Sequence, residues 1–187
     1  NDKTSNIRVS YCGLNFKDAM LAFGKLTSEG SVKLGLEFSG TRVGSDTRVM
    51  GISSGCMANT LYAHENVVWE LPLELSLSEA STIPVVYSTV YYALVIKANI
   101  QKGDTVLIHS IAGGVGQAAY HICKHRGVDT IVTCSSNKHT WVHENLNIPY
   151  THILDSHSVK FKDDVLLLTG GVGVDVVLNS LSGEKLI

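Results

Sequence analysis

Thr105-Val-Leu-Ile-His-Ser-Ile-Ala-Gly113-Gly114-Val-Gly116-Gln-Ala-Ala-Tyr-His-Ile-Cys-Lys124 is the stretch that decides the fold. An apolar run leads into glycines, and the glycines open a helix. That is the layout of a dinucleotide-binding βαβ unit, whose helix N-terminus faces a pyrophosphate. Val115, Ala118, Ala119, Ile122 and Cys123 fall at i, i+3, i+4, i+7 and i+8 and predict one apolar stripe. Gly127 ends the helix, and Thr130-Ile-Val-Thr-Cys134 reads as the next strand. In the fingerprint G-x-G-x-x-G, Gly113 and Gly116 match the second and third glycines, and Ile111 stands at the first. The first glycine normally serves the tight turn, and a β-branched residue tolerates positive φ poorly. The competing reading is an ordinary glycine-turn crossover that binds no nucleotide.

Cofactor choice is expected at the end of the second strand. About twenty residues past the glycines, an Asp or Glu would bind the ribose 2′-OH of NAD. Here stand Ser135, Ser136, Asn137, Lys138 and His139. Hydroxyls and a cation in place of a carboxylate favour NADPH, because Lys138 can pair with the 2′-phosphate. The alternative for Lys138 is a solvated lysine on the first turn of the next helix.

Composition narrows the class. The chain has 187 residues, 44% of them hydrophobic and 17% charged, which suits a globular protein with a core. A net charge of −2 with scattered basic residues gives no electrostatic case for nucleic acid or an anionic membrane. No stretch is apolar enough to span a bilayer, and residue 1 begins no signal peptide. The four cysteines, Cys12, Cys56, Cys123 and Cys134, are far apart in sequence with no C-x-x-C. That suits a reducing compartment and argues against a Cys-rich zinc cluster or disulfide framework.

Residues up to about 70 read as short strands (Ile7 to Ser10, Gly35 to Ser39, Arg48 to Ile52, Thr60 to His64, Val67 to Trp69), with a helix around Asn15 to Phe23. Pro72 and the polar stretch after it mark a boundary, which gives domains 1–72 and 73–187. Helical segments follow at Glu79 to Thr82 and Val86 to Lys97. Strand and helix then alternate through Asp175 to Asn179, and another helix is expected near the end of the sequence. That alternation predicts α/β architecture: a Rossmann-like doubly wound parallel sheet, incomplete at 187, preceded by a β-rich domain.

Over almost its whole length the chain resembles the enoyl reductase domains of animal type I fatty acid synthases and related polyketide synthases, in the medium-chain dehydrogenase/reductase superfamily. The residues that carry the resemblance are Leu14-Asn-Phe-Lys-Asp-Ala-Met-Leu-Ala-Phe-Gly-Lys-Leu26, Leu34-Gly-Leu-Glu-Phe-Ser-Gly40, Arg48-Val-Met-Gly51, Ile83-Pro-Val-Val-Tyr-Ser-Thr-Val-Tyr-Tyr-Ala-Leu94, Gly113-Gly-Val-Gly-Gln-Ala-Ala119 and Thr169-Gly-Gly-Val-Gly-Val-Asp-Val-Val-Leu-Asn-Ser-Leu181. The resemblance implies a GroES-like first domain and a cytoplasmic, homodimeric fatty acid synthase as context. It also implies NADPH-dependent reduction of a trans-2-enoyl thioester on acyl carrier protein, with hydride to the β-carbon and a proton to the α-carbon. By position, Gly113, Gly114, Val115 and Gly116 would line the pyrophosphate, and Ser136 and Lys138 would meet the adenosine end. Tyr87, Ser88, Thr89, Asn179 and Ser180 would lie near the nicotinamide. Lys138 matches a lysine proposed in the family as proton source. Its partner there is the Asp of a Ser-Arg-Asp motif. Here that stretch is Ser156-His157-Ser158, which leaves Asp155 as the nearby carboxylate and His157 as a donor suited to neutral pH. Asn15 stands where zinc-dependent members carry a Cys, so the resemblance implies a zinc-free site. The rival readings are a stand-alone quinone oxidoreductase-like enzyme and a degenerate, non-catalytic domain.

Other motifs are weaker. Gly51-Ile-Ser53-Ser-Gly55 matches the hydrolase elbow G-x-S-x-G, but the residues after it read as strand where the elbow needs a helix. His121 with His125 and His139 with His143 are spaced for metal on a helix but lack the Glu of H-E-x-x-H, so surface positions are expected. Tyr91, Tyr92 and Trp69 are expected to pack, and Glu37 to be a buried structural carboxylate.

Overall fold

The computed structural model describes residues 3–26 and 33–180. The chain divides into two compact units, residues 1–85 and 86–187.

The first unit is a five-stranded antiparallel sheet, in order β4-β1-β2-β3-β5. Its strands are β1 (Thr4–Cys12), β2 (Glu37–Arg42), β3 (Arg48–Ile52), β4 (Thr60–His64) and β5 (Val68–Glu70). Ile7, Phe38, Val49, Cys56, Ala63 and Val68 close its core. Helix α1 (Phe16–Ala22) follows β1. Gly51-Ile-Ser53-Ser-Gly55 ends β3 and runs into turns, with no helix behind it, so the hydrolase elbow is ruled out.

Composition shifts at Pro72, but this unit runs on to Val85. Helix α2 (Leu77–Ala80) is one turn held by a capping box between Ser76 and Glu79, a device worth about 1 kcal/mol. Ser39 Oγ donates to the Leu77 carbonyl, and the Val85 N–H donates to Glu37 Oε2 at 2.9 Å. These bonds tie the stretch after Pro72 to β2.

The second unit is a parallel sheet in order β8-β7-β6-β9. Its strands are β6 (Thr105–Ile108), β7 (Asp129–Cys134), β8 (Ile153–Asp155) and β9 (Val176–Leu178). Its helices are α3 (Pro84–Val90), α4 (Gly114–Arg126), α5 (His139–Leu146) and α6 (Phe161–Leu168). Strand order advances from β6 to β8 and then jumps to the other side of β6 for β9. A switch of this kind leaves a crevice at the carboxyl ends of the two diverging strands, the usual ligand position in such sheets. The expected final helix lies outside the described residues.

Three details differ from expectation. The helix predicted from Val86 to Lys97 is α-helical only to Val90, and Tyr91–Lys97 is a π-helix. The Ala98 N–H reaches back to the Ala93 carbonyl at 2.9 Å, the i→i−5 bond of that form. Tyr91 and Tyr92 are each 53% exposed, and Trp69 is 39% exposed, so none is a core residue. In α4, Ala118, Ala119 and Cys123 are buried as the stripe predicts, but Val115 is exposed and Tyr120 takes a core place. Tyr120 gains it by donating its hydroxyl to the Leu146 carbonyl at 2.8 Å.

Candidate active site

The turn from β6 into α4 explains how the chain manages with Ile111. The positive φ falls one residue earlier, at Ser110 (φ +55°). Ile111 is fully buried, and its N–H donates to the Thr133 carbonyl at 3.0 Å. Ser110 therefore makes the bend and Ile111 anchors it in the core. The backbone cost is about 1–2 kcal/mol, which the buried side chain offsets.

Gly113 is the N-cap of α4, in extended conformation and with no side chain to cap the helix. Its own N–H is used, donating to the Ser110 carbonyl at 2.9 Å. The first-turn N–H groups thus lack a capping side chain and present the positive end of a 13-residue helix. A Cβ on Gly116 would lie 2.5 Å from the Ser110 carbonyl oxygen and 2.6 Å from Ile111 Cα. Only glycine lets the helix approach its turn this closely. At Gly114 a Cβ would meet the Val86 side chain at 3.2 Å, a milder restriction. A bare helix N-terminus with no carboxylate from Gly113 to Gly116 fits a pyrophosphate.

At the end of β7, Ser136–Lys138 is a 3₁₀ turn, with Ser136 and Lys138 exposed. Asp155 closes β8 in register with Cys134. The Cys134 thiol senses both charges. Burial raises its pKa, Lys138 lowers it and Asp155 raises it. Lys138 and Asp155 are thus brought to one corner of the sheet without forming an ion pair. Among the described residues that contact is made by Arg42 and Glu65, at 2.6 Å. Asp155 Oδ1 accepts the His157 N–H at 3.1 Å, and the His157 ring is exposed.

His109 and Thr133 are residues that sequence reasoning missed. His109 is 2% exposed at the end of β6. Its N–H donates to the Leu178 carbonyl at 3.2 Å, and its Nδ1 pairs with Thr133 Oγ1 at 2.9 Å. Its carbonyl accepts from Ser180 Oγ at 3.3 Å, and its ring meets Phe161 edge-on at 5.1 Å. One histidine therefore ties the ends of β6, β7 and β9 together and holds Ser180. Burial pushes its pKa below the ordinary value, and its Nε2 is buried without a partner. The available signal was a titratable residue closing an otherwise apolar strand.

Asn179 and Ser180 follow β9 and are exposed. Tyr87 is half-buried, which raises its phenol pKa. It lines a groove with Tyr91, Tyr92, Ile96 and Ile122, along the flank of α4, and Thr89 is exposed on the same helix. A cavity of about 890 Å³ also exists at the amino ends of β6 and β7, lined by Thr105, Asp129 and Asp175. It lies opposite the glycine turn, and the geometry of the strands makes the carboxyl ends the better candidate.

The histidine pairs separate. His121 and His125 are exposed. His143 is half-buried instead, bonded to the Ile148 carbonyl at 2.8 Å and stacked on Tyr150 at 4.2 Å. Among the described residues no three His, Cys, Asp or Glu side chains are grouped to hold a metal ion. No helix there is long and apolar enough to cross a membrane. Asn15 Nδ2 donates to Glu37 Oε1 at 3.0 Å.

No protein-family model matches the chain. It is 39% identical over 182 residues to the highly reducing polyketide synthase easB of Emericella nidulans, covering 91% of this chain and 7% of that protein. The crystal structure of CurK enoyl reductase superposes with a TM-score of 0.88 at 34% identity, covering 97% of this chain and 60% of that one. A mycobacterial protein, Rv1454c, solved in complex with NADPH, superposes with a TM-score of 0.81 at 27% identity, covering 93% of this chain and 57% of that one. The chain thus spans a small part of the synthase and about 60% of the solved reductase. The synthase is a polyketide synthase, which corrects the expectation of a fatty acid synthase. The chain thus belongs, by sequence, with the highly reducing polyketide synthases and, by fold, with the enoyl reductase domains of the medium-chain dehydrogenase/reductase superfamily.

Proposed function

We propose that the chain reduces trans-2-enoyl thioesters, presented on an acyl carrier protein, with NADPH, inside a reducing polyketide synthase. The observation that carries this reading is the uncapped N-terminus of α4, admitted by Gly116, at the switch between β6 and β9. NADPH supplies the hydride for the β-carbon of the alkene. The first-turn N–H groups of α4, from Gly114 to Gly116, hold the pyrophosphate oxygens, with Gly113 keeping the approach open. Lys138 pairs with the 2′-phosphate beside Ser136, in a stretch from Ser135 to His139 that carries no carboxylate of its own. Tyr87, Thr89, Asn179 and Ser180 orient the nicotinamide end, and His109 fixes Ser180 from behind. Lys138 and His157 are the candidate donors of the α-carbon proton, with Asp155 orienting the His157 backbone. The likeness to a structure solved with NADPH supports the cofactor, and the polyketide synthase relatives support the context.

The test is NADPH oxidation by the full-length protein carrying this chain, with a crotonyl thioester, comparing wild type with Lys138→Ala. The expected result is substrate-dependent oxidation that falls in the variant. Wild-type protein that binds NADPH by fluorescence but never oxidises it overturns the proposal in favour of a silent domain.

A further inference from the structure

Cys12 and Cys56 are 44 positions apart in sequence, and their sulfurs are 3.4 Å apart. Cys12 ends β1, while Cys56 lies in the turns between β3 and β4. In the sheet, β2 separates β1 from β3, so the two thiols meet across the start of β2. Gly35 makes room for them. With φ +90°, it lies so close that a Cβ there would be 2.8 Å from Cys56 Sγ and 3.0 Å from Cys12 Sγ. The surroundings are firm. The Gly35 N–H donates to Asp18 Oδ1 at 2.7 Å, and Cys56 Sγ donates to the Glu37 carbonyl at 3.1 Å. Cys12 is half-buried and reachable, whereas Cys56 is fully buried. Cys123 and Cys134 are both buried in the other unit, in the core of the parallel sheet.

We propose that Cys12 and Cys56 are an oxidative cross-link site, closed by a low-molecular-weight disulfide such as oxidised glutathione. The sulfurs need to close by only about 1.4 Å to reach bonding distance. The Cys12 thiolate attacks glutathione disulfide, forming a mixed disulfide and releasing one glutathione thiolate. The Cys56 thiolate then attacks the Cys12 sulfur and releases the second. Two protein thiols become one disulfide, and one glutathione disulfide becomes two glutathiones. The order follows from access, because only Cys12 can be reached from outside. Burial raises both thiol pKa values, and the contact with Cys56 partly offsets that rise at Cys12 while the same contact adds to it at Cys56. The exchange is therefore slow at neutral pH and quickens as the pH rises, which makes the pair a lock across β2 and not a fast sensor.

The experiment treats the full-length protein with oxidised glutathione at pH 7 and pH 9. Free thiols are then alkylated under denaturing conditions and the peptides mapped by mass spectrometry. The expected result is joint loss of alkylation at Cys12 and Cys56, a linked peptide pair, faster closure at pH 9, and recovery with dithiothreitol. Cys123 and Cys134 stay alkylated. In Cys12→Ser, Cys56 is expected to remain fully alkylated under the same treatment. Glutathione lodged on Cys12 with Cys56 still alkylated, both thiols remaining free at pH 9, or Cys56 consumed in Cys12→Ser would each overturn the proposal.

Discussion

The two units treat polar groups in opposite ways. In the first, two carboxylates are sealed inside: Asp18 is 2% exposed and Glu37 4%. Both are fully engaged. Asp18 accepts the N–H groups of Gly35 and Asn15 at 2.7 and 3.0 Å. Glu37 accepts from Asn15 Nδ2 and from the Val85 N–H. These charges act as internal staples, because a buried carboxylate is tolerated when its lone pairs are used. In the second unit the polar chemistry sits at the strand ends, where α4 begins without a capping side chain and Ser136, Lys138 and His157 are exposed. Satisfied groups hold a scaffold, and groups left open are the ones able to take a ligand.

Gly116→Val tests that contrast most severely. Its Cβ would strike backbone atoms of Ser110 and Ile111, which cannot move without undoing the turn. A loss of about 3 kcal/mol or more is expected, with the thermal midpoint down and NADPH binding by fluorescence abolished. An unchanged midpoint with intact binding would break the comparison. Asp18→Ala comes next. It orphans two backbone N–H groups, at about 1–3 kcal/mol each when buried. Chemical denaturation should register a loss of about 2–4 kcal/mol, while the NADPH binding proposed for the second unit, read by fluorescence, matches wild type.

The pH dependence is smaller. His109 has a folded-state pKa depressed by burial from 6.5. The unfolded chain therefore takes up the proton first as pH falls. Stability is complete above about pH 6.5 and declines below it. Denaturation midpoints between pH 7.5 and 5 should show this slope, and His109→Gln should flatten it. An identical slope in the variant would remove His109 as its source. The smallest effect belongs to Ser110→Gly, which relieves the positive φ but loosens the unfolded chain. A gain of under about 1 kcal/mol is expected from calorimetry. A clear loss would mean that the Ser110 side chain carries part of the turn.

Much of the fold was readable because it rests on periodic burial. Arg48–Ile52 and Thr60–His64 begin and end where the short-strand reading puts them, and α4 starts at its glycines. The site was harder to read. The glycine fingerprint pointed to Ile111 as the strained position, yet backbone torsion moved to Ser110, since burying the isoleucine stabilises more than relaxing a serine would. His109 stood out only as a titratable residue closing an apolar strand, because its role depends on two strands brought beside it from elsewhere in the chain. The partners of Asp18 and Glu37 are likewise long-range and leave no local spacing to detect.

The π-helix has a consequence for how this surface tolerates insertions and deletions. Lys97 Nζ stands 5.2 Å over the Tyr92 ring, five residues away. On an α-helix, neighbours along a face are three or four apart, so this cation–π contact exists only because the backbone is wound in fives. Deleting one residue between Tyr92 and Lys97 would return the segment to ordinary winding and shift every later side chain around the axis. The lysine would then stand four positions from the tyrosine, an ordinary helical neighbour, and the residues after it would turn relative to those before. The stretch is thus a register mark: its length, more than the chemistry of its residues, decides which of them look outward.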